Sequence, residues 1–263
     1  MANSPSGRAP VALVTGAGVQ LGREIALGLA RAGYDICVHY GRSTEGAMRT
    51  VDDIQAIGRR AVAIQADFSR NDAAARVIPM CREAFGTPEV LVNSASLFEQ
   101  DTGKDFDNGL FQRAMSINLA APLTLAGAMY AAHVEEGRME RAGVVINILD
   151  QKLYALQPDH LSYTLSKAAL ATATTMLAQS FAPVIRTAGV APGLTMKHPD
   201  LSPREFEEAH KATPLRRGAS PQDITQAVVF IAQNQSINDT TLVVDCGQHL
   251  MRAERDTMYA FRD

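Results

Sequence analysis

The sequence predicts a doubly wound α/β fold, a three-layer sandwich built on a seven-stranded parallel sheet. Short β-branched runs alternate with longer stretches whose apolar residues recur at helical spacing, and no linker or change in composition interrupts the alternation. Continuous apolar strands separated by helices are typical of parallel βαβ units with both sheet faces covered. Seven such strands favour an open sheet over an eight-stranded barrel. The predicted strands are 11–15, 35–40, 61–65, 90–93, 144–149, 184–190 and 241–245.

The composition is that of an ordinary soluble protein. The 263 residues are 46% hydrophobic and 20% charged, with a formal net charge of −3, so neither nucleic acid nor an anionic membrane is an expected partner. We expect one domain over 11–250, preceded by a flexible N-terminal arm, 1–10, and followed by a tail, 251–263. The arm lacks the apolar core of a signal peptide. The apolar run 119–132 is shorter than the roughly 18 residues that suggest a membrane span, which favours a buried helix.

The cysteines and histidines do not indicate a metal site. Cys37, Cys81 and Cys246 are widely separated, and the six histidines show no metal-ligand spacing. Buried, inert thiols are the simplest interpretation, which favours a reducing, cytoplasmic setting.

A glycine-rich turn follows the first predicted strand. Gly16, Gly18 and Gly22 lie in it, and a helix pattern begins directly afterwards. Glycine lets the backbone approach a pyrophosphate closely, and the helix N-terminus stabilises the phosphate charge. The strand–turn–helix context therefore predicts a Rossmann-type dinucleotide site, with Gly16, Gln20 and Leu21 as cofactor contacts.

The end of the second predicted strand indicates which dinucleotide binds. NAD sites usually place an acid about 20 residues after the glycine turn, to bind the ribose 2′-hydroxyl. Here the segment 39–43 contains no acid, whereas Arg42 and Ser43 can bind a 2′-phosphate. The sequence thus predicts NADPH as the cofactor; the alternative is that Arg42 is only a solvated loop residue.

Tyr163 and Lys167 are one helical turn apart, after the fifth predicted strand. A nearby lysine favours the phenolate and lowers the pKa of a tyrosine, which would make Tyr163 an acid or base near neutral pH.

With these motifs the chain resembles the short-chain dehydrogenase/reductase family over nearly all of 10–250. The resemblance covers the glycine turn, Asp67, 93–96, Asn118, Tyr163 with Lys167, 192–193 and 244–247. It implies a proton donor in Tyr163, with Lys167 tuning it and binding the nicotinamide ribose, and a proton-relay water at Asn118. It further implies that Asp67, Phe68, Asn93, Ala95, Gly193 and Leu194 belong to the cofactor site. A helix interface between subunits, hence a homodimer or homotetramer, is also implied.

Asp150 departs from the family pattern, which has serine thirteen residues before the tyrosine. An ionised carboxylate would repel the oxyanion that forms when a ketone is reduced, whereas a carboxyl beside Tyr163 could relay a proton to a nitrogen. Asp150 therefore favours reduction of a C=N bond. The alternative is a protonated Asp150 that substitutes for serine in a ketone or 3-oxoacyl reductase.

Within the family the chain resembles the pteridine reductase branch through Asp150, 93–96, Phe98, 40–43 and 192–194. That resemblance implies that Ser96 contacts cofactor and pterin, and that Phe98 stacks on the pterin ring. Gln20 is a departure, because the branch has arginine there. We expect the segment 194–213 to be a loop that covers the substrate. His160 and His198 are interpreted as loop histidines, because Tyr163 already supplies the acid. A non-catalytic NADPH sensor is disfavoured, because it would not need Tyr163, Lys167 and Asn118.

Overall fold

The computed structural model describes residues 8–70, 72–199, 201–251, 254–256 and 259. Its centre is a parallel sheet of seven strands in the order β3-β2-β1-β4-β5-β6-β7. The strands are β1 (Val11–Val14), β2 (Asp35–Tyr40), β3 (Ala61–Gln65), β4 (Val90–Asn93), β5 (Gly143–Ile148), β6 (Ile185–Pro192) and β7 (Thr241–Val244). The predicted fold class is confirmed, and every predicted strand is present with its ends shifted by at most two residues. Most of the arm, 1–7, lies outside the described residues.

Helices cover both faces of the sheet. They are α1 (Gln20–Arg31), α2 (Thr44–Ala56), α3 (Val77–Ala84), α4 (Asn108–Met115), α5 (Ala121–Glu135), α6 (Leu161–Ser180), α7 (Pro203–Ala212) and α8 (Pro221–Gln233). On one face, α1, α2 and α8 bury Ile25, Ile54 and Val228. On the other, α3 and α5 bury Ile78 and Met129. Because both faces are covered, the strands consist of nearly continuous apolar residues.

The strand order positions the site. β1 pairs with β2 on one side and with β4 on the other, so the connections leave β1 and β4 in opposite directions. Such a switch point opens a crevice at the carboxyl ends of the strands, where ligands bind in open α/β sheets. The segments after β1, β4, β5 and β6 all meet at this edge.

The predicted buried helix over 119–132 belongs to a longer helical run. α4, a π-helical turn over Ser116–Ala120 and α5 follow one another without interruption. The run Asn108–Glu135 is the one stretch of the described chain that is long and apolar enough, by length and composition, to cross a membrane. Leu125 and Met129 are fully buried against the sheet, as in the core helix of a globular enzyme.

The prediction of an irregular loop over 194–213 was wrong for its second half, which forms α7. Ser202 Oγ accepts a hydrogen bond from the Glu205 N–H at 3.2 Å, and the Glu205 carboxylate accepts one from the Ser202 N–H at 2.7 Å. Pro203 follows this capping box at the first helical position, where a proline fits a helix well. Pro203 therefore marks the start of a helix here and does not break one.

Candidate active site

A cavity of about 860 Å³ opens at the carboxyl edge of the sheet. It brings together all of the predicted site residues except Asn93 and Asn118. The predicted residues that line it are Gly16, Gln20, Leu21, Arg42, Ser43, Asp67, Phe68, Ala95, Ser96, Phe98, Asp150, Tyr163, Lys167, Gly193 and Leu194.

The glycine turn after β1 forms one end of the cavity. Gly16 has a φ of +68°, and a Cβ on it would lie 3.0 Å from the Ala95 Cα, so only glycine fits between β1 and β4. Val19, the N-cap residue of α1, makes no side-chain capping bond, and Gln20 and Leu21 in the first turn line the cavity. The first N–H groups of the helix are thus available to an anion, and the turn fits a dinucleotide pyrophosphate.

His39 fixes this turn, a role that the sequence analysis missed. Its Nδ1 accepts a hydrogen bond from the Gly16 N–H at 3.2 Å, and its Nε2 donates to the Ala66 carbonyl at 2.9 Å. The ring also stacks on Phe68 at 4.2 Å. Burial lowers the pKa of His39 to about 4, which keeps the ring neutral in the tautomer that these bonds require. The available signal was a polar residue within the apolar run of β2.

Arg42 and Asp67, which follow β2 and β3, line the same cavity. Arg42 is exposed at the end of β2, and Ser43, the N-cap residue of α2, also lines the cavity. Asp67 Oδ1 accepts hydrogen bonds from the Ser69 N–H and hydroxyl at 3.0 and 2.7 Å. These bonds, and to a smaller extent the charge of Arg42, lower the pKa of Asp67. A cation and two hydroxyl donors at this end fit a phosphorylated ribose.

Asn93 and Asn118 lie beneath the cavity. The Asn93 side-chain amide donates to the side-chain oxygen Oδ1 of Asn147 at 2.8 Å, which links β4 to β5. Asn118, within the π-helical turn, accepts from the Leu97 N–H at 2.7 Å and donates to the Ser166 hydroxyl at 2.9 Å. Both side chains therefore join segments that carry the site, and neither lines the cavity.

Asp150 and Tyr163 form a hydrogen-bonded pair in the cavity. The Tyr163 hydroxyl donates to Asp150 Oδ2 at 2.6 Å, while Asp150 Oδ1 accepts from the Lys152 N–H at 2.8 Å. The second bond caps the short 3₁₀ turn Gln151–Tyr154, and aspartate is well suited to such a cap. One oxygen thus fixes the backbone after β5 and the other contacts Tyr163.

The groups around Tyr163 raise its pKa, whereas the motif with Lys167 predicts a lowered pKa. Lys167 Nζ donates to the Ile148 carbonyl at 2.7 Å and lies 5.7 Å from the centre of the Tyr163 ring. Burial, followed by the charge of Asp150, holds the pKa of Tyr163 well above its usual value. Burial and Asp150 therefore outweigh the lowering of this pKa that was expected from Lys167. The raised pKa favours the protonated form of Tyr163.

Burial also shifts the pKa values of Asp150 and Lys167. It raises the pKa of the Asp150 carboxyl, although the hydrogen bonds from Tyr163 and the Lys152 N–H oppose the shift. It lowers the pKa of Lys167 to about 8, against the opposing charge of Asp150. The pair can therefore hold and pass on a proton closer to neutral pH than an exposed aspartate can.

Asp101 holds the start of α6, a role that the sequence analysis also missed. Its carboxylate accepts from the Ser162 N–H at 2.9 Å and from the Ser162 hydroxyl at 2.5 Å, and its carbonyl accepts from the Leu161 N–H. His160, the N-cap residue of α6, makes no side-chain capping bond, so Asp101 satisfies the helix terminus from another segment. No local motif signals this role, because Asp101 and Ser162 are 61 residues apart.

Aromatic rings form the substrate end of the cavity. Phe98 stacks on His160 with centroids 4.0 Å apart and meets the edge of Tyr163 at 4.7 Å. His198 lies at 6.2 Å from Phe98 and lines the cavity. His160 therefore supports the phenylalanine ring and is more than the loop histidine that we expected.

The corner after β6 is held by Gln248, which lies beyond β7. A Cβ on Gly193 would lie 2.7 Å from Gln248 Oε1, and that oxygen accepts from the Leu194 N–H at 2.9 Å. His210 on α7 bonds the Leu194 carbonyl at 2.8 Å. α7 thus helps to fix the corner that the sequence assigns to the cofactor.

A family model described as enoyl-(acyl carrier protein) reductase matches residues 16–249. The chain belongs to the short-chain dehydrogenase/reductase family. Pteridine reductase 1 of Leishmania tarentolae is 31% identical to it, over 96% of this chain and all of the relative. FolM alternative dihydrofolate reductase 1 from Brucella suis, solved in complex with NADP, is 33% identical with a TM-score of 0.87, covering 93% of this chain and 96% of that one. The Brucella canis protein, also complexed with NADP, is 34% identical with a TM-score of 0.84, over 92% and 95%.

The protein is therefore an NAD(P)-dependent short-chain oxidoreductase that acts on small molecules. The short-chain dehydrogenase/reductase resemblance drawn from the motifs is confirmed, and relatives of the pteridine reductase branch are among the matches.

Proposed function

We propose that this oxidoreductase reduces the C=N bond of a pterin-like substrate with NADPH, with Tyr163 as the proton donor and Asp150 as its relay. The observation that carries the proposal is the 2.6 Å hydrogen bond from the Tyr163 hydroxyl to Asp150 Oδ2, inside the cavity. A carboxylate here disfavours an oxyanion, but an acid pair suits a nitrogen that must gain a proton. The likeness to pteridine reductase 1 supports the same substrate class.

NADPH is the proposed cofactor because Arg42 and Ser43 line the adenosine end, and no acid follows β2 within 39–43. NADPH bound along this cavity would supply the hydride. The glycine turn would hold its pyrophosphate, Asp67 and Phe68 its adenine, and Gly193 with Leu194 its carboxamide. Two similar structures were solved with NADP, which supports the choice.

The proton path uses the chain's own residues. Tyr163 delivers the proton from its hydroxyl oxygen to the substrate nitrogen. Asp150 takes up a proton from water in the cavity and passes it to the resulting Tyr163 phenolate through the bond that they share. The raised pKa of Asp150 makes it an effective carrier near neutral pH. Lys167, buried beside the ring, stabilises the transient phenolate. Asn118 acts as a positioning residue for the segment around Leu97.

The substrate end suits a flat ring. Phe98 offers an aromatic face against which a bicyclic ring can stack, and contacts with His160 and Tyr163 fix the position of the Phe98 ring. Ser96 is exposed in the cavity and can bond a polar ring edge.

A second candidate is a ketone or 3-oxoacyl reductase. The raised pKa of Asp150 favours it, because a protonated carboxyl would donate to a carbonyl oxygen as serine does. A screen of NADPH oxidation across dihydropterins, cyclic imines and simple ketones separates the two. Preference for the imines supports the first proposal, and preference for ketones overturns it.

We further propose a cytoplasmic homo-oligomer. All three cysteines are free, in keeping with a reducing compartment. On α6, Leu165 and Met176 expose large apolar side chains, as expected of a helix that packs against another subunit. Light scattering after size-exclusion chromatography tests this: a dimer or tetramer is expected, and a monomer would overturn it.

A further inference from the structure

The C-terminal segment of the chain forms part of the cavity wall. The Asp256 carboxylate pairs with the Lys152 ammonium, and both residues line the cavity. Lys152 and Asp256 are only 3% and 7% exposed. The tail therefore reaches the proposed substrate end of its own subunit, a contact between residues 104 positions apart that has no local sequence signal.

Two further contacts hold the segment in place. The buried Asp159 carboxylate accepts hydrogen bonds from the Arg255 guanidinium at 2.8 and 2.9 Å, and from the Asp256 N–H at 2.8 Å. The Tyr259 ring stacks over His160 at 5.9 Å, on the residue that supports Phe98. The tail is thus anchored on the segment between Asp150 and α6, which carries the proposed proton path.

The Lys152–Asp256 pair balances the charge beside Asp150. The Lys152 backbone N–H donates to Asp150 Oδ1, so the residue that carries the ammonium lies on the short turn that Asp150 caps. If Asp256 were neutral, a buried cation would remain without its carboxylate at the end of the substrate cavity. Removing one partner of a buried pair is costly because the remaining charge is uncompensated.

We propose that Asp256, paired with Lys152, determines substrate specificity by closing the far end of the cavity with a neutral ion pair. The pair offers an acceptor and a donor side by side, which suits an uncharged ring edge that carries both. A charged substituent would lose its hydration and find the opposite charge already paired, so it is disfavoured. This inference rests on the proposed function, since it concerns the substrate of that site.

The test compares an uncharged substrate, 6-hydroxymethyl-7,8-dihydropterin, with an anionic one, 6-carboxy-7,8-dihydropterin. The variants are D256N, K152M and the double variant, and the control is E254Q, an exposed residue of the same tail. D256N should shift the ratio of the two kcat/KM values toward the anionic substrate by about tenfold or more, the size of one charge-assisted contact. The double variant should restore the ratio, because no charge remains unpaired.

E254Q should leave the ratio unchanged, and the NADPH Kd should stay within about twofold in all variants because the pair lies outside the nucleotide half. An unchanged ratio in D256N, or a parallel fall for both substrates, would overturn the inference, since a purely structural role moves both together. Equilibrium dialysis of both compounds against the NADP⁺ complex measures the preference without turnover. Binding without reduction would overturn the proposed function alone, and binding of neither compound would overturn both.

Discussion

The Tyr163 hydroxyl donates a hydrogen bond of 2.6 Å to Asp150, and the same carboxylate caps the turn that leads away from β5. Asp150 is therefore fixed by the backbone on one oxygen and coupled to the proton donor on the other. If the carboxyl moved away from Tyr163, it would also lose its capping bond to the Lys152 N–H. The backbone after β5 therefore helps to hold Asp150 against Tyr163.

Tyr163→Phe should nearly abolish reduction while NADPH binds almost normally, because the phenylalanine retains the ring and loses only the proton. General acid catalysis contributes about 10²–10⁴-fold, so kcat should fall by at least about that lower bound. Steady-state kinetics and the quenching of NADPH fluorescence measure the two effects. Retention of about a tenth of the activity would contradict the role of Tyr163.

Arg42→Ala should remove most of the preference for NADPH over NADH. Loss of a charge-assisted phosphate contact costs about 1.5–3 kcal/mol, or roughly ten- to hundredfold in kcat/KM for NADPH. The value for NADH should hardly change. Arg76→Ala, which removes an exposed arginine from outside the cavity, is the matched control. Equal use of both cofactors by the unmodified enzyme would show that Arg42 does not select the phosphate.

Asp101→Ala should slow catalysis by loosening the start of α6, which carries Tyr163. The loss of capping should cost about 0.5–2 kcal/mol of stability. Asp107→Ala is the control, because Asp107 lies outside the cavity and caps α4 by accepting a hydrogen bond of 2.7 Å from the Gly109 N–H. Thermal unfolding should show a loss of stability in both variants, but kcat should fall only in Asp101→Ala. An equal kcat in the two variants would restrict Asp101 to a structural role.

The protein should lose stability as the pH falls from 6.5 to 4. Burial lowers the pKa of both His39 and His133 to about 4, against 6.5 for an ordinary histidine. In this window the unfolded chain binds protons that the folded chain does not, so unfolding is favoured by up to about 3 kcal/mol per histidine. Urea unfolding of the cofactor-free protein measures the free energy of unfolding at each pH, and this free energy should depend less on pH in His133→Gln. If its slope against pH were unchanged, His133 would ionise in the folded state.

The sheet and the cofactor turn could be predicted because their signals are local. Apolar strand runs and the turn at Gly16 depend on residues close in sequence, and Tyr163 with Lys167 form a short motif. α7 has an equally local signal, since Ser202 and Glu205 form a capping box around Pro203.

The remaining site features depend on contacts between distant segments. Asp101 caps α6 from 61 residues away, and Asp256 reaches Lys152 across 104 residues. A single sequence contains no local pattern for such pairs, because tertiary packing alone brings them together. The effect of burial on the pKa of Tyr163 is of the same kind. The motif with Lys167 indicates a lowered pKa, whereas the enclosing cavity and Asp150 raise it.

Single-turnover NADPH oxidation with a dihydropterin measures whether Asp150 relays a proton to a substrate nitrogen. The unmodified enzyme should reduce the dihydropterin much faster than a simple ketone. Asp150→Asn keeps the shape of the side chain and removes its proton chemistry, so its rate should fall by about 10²-fold. Asp150→Ser should also lower the imine rate while raising any ketone rate, because it supplies a donor to an oxyanion. An asparagine variant that reduces the dihydropterin as fast as the unmodified enzyme, or an unmodified enzyme that prefers ketones, would contradict the account.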